Sequence, residues 1–220
     1  MSLRDLLKNV EGEVKRRDEI RQEIQAAMRK ATRLSKQAIF FIHKERLDKA
    51  SEKLNEAETL FENIKRIAKE YPDLAYSGIV DTAYQEFSEA HILLGLVSNG
   101  EFVSYEEIGV PAVSYVLGLA DVIGELRRRA LDSIRKNDFD KAEKSLEIME
   151  TIYSELLGLN EAFFLIQGLR KKCDVARRII EATRGDVTME ARRGVLERSI
   201  KELMKALMGG NRLGKEDQSI

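Results

Sequence analysis

The segment Ala112–Leu126 reads AVSYVLGLADVIGEL, and Asp121 and Glu125 are its only charged residues. At about 100° per residue, positions four apart stack on one face of a helix, one turn from each other. The carboxylates of Asp121 and Glu125 therefore share a face. Tyr115, Leu119, Ile123, Leu126 and Ala130 gather on the opposite side. Gly118 and Gly124 flank the acidic pair and leave room for a close approach. Two like charges one turn apart repel, and partly buried carboxylates are costly unless something compensates them. Both a hard divalent cation and an ion pair with an arginine such as Arg128 meet that need.

The same helical spacing extends outward along the chain. Helices are expected over about 2–46, bent or broken near Gly12, and from about Asp48 to just before Tyr71-Pro72-Asp73. A third covers about 77–98 and stops at Asn99-Gly100. A fourth covers about 112–136, and a fifth about 141–159. A sixth runs over about 163–183 and ends at Arg184-Gly185-Asp186. The seventh runs over about 188–208, where Gly209-Gly210 ends it. The expectation is one all-α domain of about seven helices over residues 1–208, with a disordered tail over 209–220. The loop Glu101–Pro111 is long enough to gate an opening.

Composition agrees with this pattern. The 220 residues include two prolines and no Trp, and the apolar set makes up 43% against 34% charged. Frequent turns and β-branched strands, which sandwiches and barrels need, are not written here. A single cysteine, Cys173, excludes a disulfide scaffold, and without a nearby histidine it makes a poor nucleophile. The nearly uncharged stretch Gly109–Ala120 is far short of the roughly 20 residues a membrane span needs. The N-terminus runs straight into charged residues, so no signal peptide is read and a cytoplasmic location is expected. No Gly-rich phosphate loop is present.

The net charge of −1 hides a local excess. Residues 21–46 hold seven Lys/Arg against two Asp/Glu. On a helical wheel Arg29, Arg33, Lys36, His43 and Lys44 fall within about 100° of arc, with Phe40 among them. A basic stripe carrying an aromatic suits phosphates and stacked bases, although a solvated helix face looks the same. In the third helix, Glu86 and Glu89 lie three apart, Glu86 bordering the core face and Glu89 just outside it. If the third and fourth helices are neighbours, four carboxylates converge, a set suited to Mg²⁺ or Mn²⁺. Di-iron sites call for Glu-x-x-His motifs on two helices, which His43 and His91 do not complete.

These residues carry a resemblance to a known family. Residues 111–128 (PAVSYVLGLADVIGELRR) resemble the "P-x-x-Y-L-L-G-x-A-D-L-T-G-E-L-x-R" segment of the translin/Trax family. Gln85-Glu86-Phe87-Ser88-Glu89-Ala90 is similar to its "Q-E-Y-V-E-A" motif, and residues 35–43 (SKQAIFFIH) to its "S-K-R-x-I-F-L-L-H". The late helix over 169–185 also resembles the family's. The resemblance implies an all-α fold of seven helices and assembly into a hollow octamer that holds single-stranded RNA or DNA.

Within the family, the Trax branch implies a metal-dependent endoribonuclease whose ligands match Glu86, Glu89, Asp121 and Glu125. The translin branch implies nucleic-acid binding without that complete set. With all four present, the chain is most similar to a compact, archaeal-type Trax. Gln37 stands where the family has a basic residue, and Val122-Ile123 where it has Leu-Thr. The expectation is a Mg²⁺-dependent endoribonuclease (Mn²⁺ being the alternative metal) acting on single-stranded RNA within a homo-octamer. Arg29, Arg33, Lys36, His43, Lys44 and Arg128 would contact the RNA backbone. The rival expectation is a non-catalytic single-stranded RNA- or DNA-binding scaffold.

Overall fold

A computed structural model describes residues 2–75 and 78–213. They form eight helices and, among the described residues, no strand. These are α1 (Leu3–His43), α2 (Leu47–Glu70), α3 (Pro72–Ala75), α4 (Gly78–Ser98), α5 (Ala112–Arg135), α6 (Phe139–Leu157), α7 (Glu161–Leu165) and α8 (Leu169–Leu213). Among the described residues, no helix is long and apolar enough to cross a membrane.

Helix α1 begins with a capping box, in which the Ser2 side chain accepts from the Asp5 backbone and the Asp5 side chain accepts from the Ser2 backbone. Its inward line of Ile24, Met28, Ala31, Leu34, Ala38, Ile39 and Ile42 is buried and packs on α2 and α4. Helix α4 packs in turn on α5, and α5 on α6 and α8. Phe61, Tyr84 and Phe87 stack where α2 meets α4. The two helices that carry the acidic pairs are thus direct neighbours at the centre of the bundle.

Their approach is unusually close at Gly118. A Cβ there would lie 2.6 Å from the Gln85 carbonyl oxygen, 2.8 Å from Ser88 Cβ and 3.0 Å from the Glu89 backbone nitrogen. The glycine expected to admit a close approach admits α4 itself.

Several expected boundaries differ. Gly12 does not end α1, because an exposed glycine within a helix weakens it without clashing. The sixth and seventh helices are one continuous α8, and the break expected at Arg184-Gly185-Asp186 does not occur. Side chains on either side of Gly185 hold the segment helical. Arg184 pairs with Glu150 at 2.7 Å, Arg127 donates to Thr183 Oγ1 at 2.8 Å, and Val187 is buried. Helix α8 also runs through Gly209-Gly210 to Leu213, so the tail expected from 209 is helical as far as it is described; residues 214–220 lie outside the described residues. The short helices α3 and α7 were not expected. The loop before α5 is anchored, with Val110 buried and the Tyr115 hydroxyl donating to the Val103 carbonyl at 2.8 Å.

Replacing Gly118 by Ala should destabilise the protein by about 1–3 kcal/mol, since backbone atoms of α4 must give way. Gly124→Ala in the same helix meets no atom within 4 Å and should instead stabilise, by up to about 1 kcal/mol. Thermal melting of the two variants checks the opposite signs.

Candidate metal and phosphate site

The α4–α5 crossing sets the acidic residues of the two helices against each other. Glu89 is the most enclosed, only 8% exposed, and with Ser88 it sits beside Gly118. Glu86 is less buried, its side chain 18% exposed. The order is the reverse of the expected one, because Gly118 lets α5 cover Glu89 rather than Glu86. Burial, then the charges of Asp121, Glu86 and Glu125, push the Glu89 carboxyl up to about 8, and Lys172 alone acts against them. Glu89 is therefore protonated at neutral pH in the metal-free protein.

Each of the other three carboxylates has a partner from another helix. Lys36 of α1 places its ammonium 3.1 Å from Glu86 Oε1. On Asp121, Gln85 donates to Oδ2 at 2.6 Å and the Lys172 ammonium of α8 donates to Oδ1. His43 Nε2 lies 2.5 Å from Glu125 Oε2, with Arg128 at 3.8 Å. The His43 hydrogen bond holds Glu125 below the usual carboxylate range, against the effect of burial.

The four acidic residues share one locale but not one point. Among the described residues, no group of three or more His, Cys, Asp or Glu is arranged to hold a metal ion. The convergence expected from the sequence is incomplete because Lys36 and His43 draw Glu86 and Glu125 toward two places on α1, while Lys172 draws Asp121 toward α8. As a donor set they remain all-oxygen and acidic, the chemistry that Mg²⁺ and Mn²⁺ select.

The basic stripe divides. Arg29, Arg33, Lys36 and Lys44 are exposed along α1, and the Lys44 ammonium sits 5.8 Å from the ring centre of half-exposed Phe40. Lys36 joins this stripe to the acidic site. His43 does not belong with them, for its side chain is only 4% exposed and is engaged by Glu125. It is corrected from a surface RNA contact to a buried partner of the acidic site. Arg128 is half-exposed and borders Glu125 rather than neutralising Asp121.

The cation on Asp121 is Lys172 of α8. Its placement depends on how α8 packs on α5, and local spacing carries no signal for that. His91 is partly buried beside Phe87, and its Nε2 has no hydrogen-bond partner among the described residues; burial lowers it to about 4, so it stays neutral at neutral pH.

Raising Glu89 from the ordinary 4.5 to about 8 fixes the sign of a pH effect. The unfolded chain releases this proton first as pH rises, so stability falls between about 4.5 and 8. In EDTA, Glu89→Gln should match the wild type near pH 4.5 and exceed it by roughly 2 kcal/mol or more at pH 8. Chemical denaturation across that range checks it.

Residues 19–182 match the Translin family, a span that includes all four carboxylates and Lys172. An uncharacterized protein of Methanocaldococcus jannaschii is 33% identical over 173 residues, 78% of this chain and 76% of that protein. Among solved structures, AfC3PO in its complex with duplex RNA superposes with a TM-score of 0.76 at 31% identity, covering 85% of this chain and 97% of that one. Apo-NeC3PO superposes with a TM-score of 0.76 at 26% identity, covering 84% and 96%. The helix order, the acidic crossing of α4 and α5 and these matches agree, and the chain belongs to the Translin family.

Proposed function

We propose that this protein is a Trax-like endoribonuclease that binds RNA along α1 and cleaves it at the α4–α5 crossing, working as a homo-octamer. The observation that carries this reading is Glu89, buried among Asp121, Glu86 and Glu125 with its charge opposed by all three. Three carboxylates around a buried fourth oppose its charge and gain nothing for packing alone, which supports a functional site. The solved complex of AfC3PO with duplex RNA, at 31% identity, supports RNA as the ligand class.

Glu86, Glu89, Asp121 and Glu125 would hold Mg²⁺ or Mn²⁺. When bound, the cation would supply an activated water and neutralise charge on the leaving oxygen. The remaining work falls to the chain's own side chains. Arg29, Arg33 and Lys44 line the exposed face and would position backbone phosphates with little sequence readout. Lys36 and Arg128, already beside the carboxylates, would hold the phosphates nearest the cut. His43 fixes the orientation of Glu125 through its 2.5 Å contact. Two exposed apolar stripes, Leu3, Leu7, Val10 and Val14 on α1 and Leu196, Ile200 and Leu203 on α8, support assembly with further copies.

A second reading, an RNA-binding scaffold without cleavage, draws on the pairing of Glu86, Asp121 and Glu125 with protein cations and on the absence of a gathered ligand set among the described residues.

Labelled single-stranded RNA, incubated with Mg²⁺ or with EDTA, separates the two readings. The nuclease reading predicts Mg²⁺-dependent products that fall to background in Asp121→Asn, with RNA retention in a gel-shift assay unchanged. Retention without products in every lane favours the scaffold. A duplex of the same sequence as competitor decides which strand form is preferred.

A further inference from the structure

Beside Asp121, α5 and α8 enclose a groove of about 430 Å³. Its walls include Ile123, Val175 and Ile179, and Lys171 and Lys172 stand at its polar end. Lys172 is occupied by Asp121, whereas Lys171 is exposed and makes no ion pair among the described residues. Gly124 also lines the groove. A glycine within a helix weakens it relative to alanine and is usually explained by the close approach of another backbone. Gly118 has that explanation in α4. Gly124 has none within the chain, since a Cβ there would meet nothing within 4 Å.

The volume lies in the range of small-ligand sites, roughly 300–1,000 Å³. Apolar walls suit a flat ring, and an unpaired ammonium at one end suits a phosphate joined to that ring. No Asn, Gln, Ser or Thr lines the groove, so little is available to read hydrogen-bonding edges.

We infer that the α5–α8 groove receives one unstacked nucleobase of the RNA strand next to Asp121, largely irrespective of base identity. The inference rests on the RNA-binding part of the proposed function and not on cleavage. A base inside a duplex is stacked and paired and cannot enter, so the groove favours single-stranded or frayed RNA.

Fluorescence anisotropy in EDTA tests this without cleavage, using labelled single-stranded oligoadenylate and an abasic ribose-phosphate strand of equal length. The wild type should bind the oligoadenylate more tightly. Gly124→Leu, which fills the groove, should weaken oligoadenylate binding by roughly tenfold and leave the abasic strand unaffected. Val175→Gln, an uncharged change at an exposed wall position, should do the same and decides the matter if the first variant misfolds.

Equal wild-type affinity for both strands, or a parallel loss of both in the variants, overturns the base site. So does a changed oligomer size by light scattering with RNA binding intact, which would mean that a second copy covers the groove. Base-dependent binding without Mg²⁺-dependent products keeps the groove and removes the nuclease. Products without base-dependent binding do the reverse.

Discussion

At Gly118 the backbone of α5 runs against Gln85, Ser88 and Glu89 of α4 at distances that no side chain would permit. The arrangement of the acidic site follows from that contact. It places Glu89 beneath α5 instead of at the surface, and it brings Gln85 within hydrogen-bond reach of Asp121. A larger residue at position 118 would push α4 and α5 apart at this contact and loosen the cover over Glu89. Packing density at one backbone contact thus becomes an electrostatic property of the site.

Bringing four acidic residues together costs free energy that partners from two other helices, α1 and α8, only partly offset. Lys36 from α1, Lys172 from α8 and the buried His43 each answer one carboxylate, while Glu89 is left to hold a proton. A protein selected only for stability would place apolar side chains at such a crossing, since buried charge is rarely a net gain. Under the proposed function these carboxylates serve what they bind rather than what they stabilise. Lys36 and Arg128 support this, as each stands at once against a carboxylate and at a solvent-facing surface where a phosphate can reach it.

Much of this was legible in the sequence, for identifiable reasons. Helical periodicity located α1, α2, α4, α5 and α6, because long amphipathic segments declare their own period. The apolar setting of Asp121 and Glu125 marked them as unusual without reference to any neighbour. Legibility ended where tertiary contacts decide. Gly185 reads as a helix stop, yet Arg127, Thr183 and Glu150 carry α8 across it. His43 reads as part of a surface stripe, yet its ring turns inward to Glu125. Lys172 carries no signal in its local sequence, and only the packing of α8 on α5 delivers it to Asp121. Glycine carries the same ambiguity: Gly118 and Gly124 look alike in sequence, but one is filled by α4 and the other opens onto a groove.

Under the proposed function the α4–α5 crossing holds a divalent cation, and Lys36, Lys172 and His43 take its place beside the carboxylates in the metal-free protein. Diffraction from crystals grown in Mn²⁺, recorded at a wavelength where manganese scatters anomalously, tests this most directly. The account predicts an anomalous peak among Glu86, Glu89, Asp121 and Glu125, with the Lys172 ammonium withdrawn from Asp121. A map without such a peak, with Lys172 still on Asp121, would contradict it.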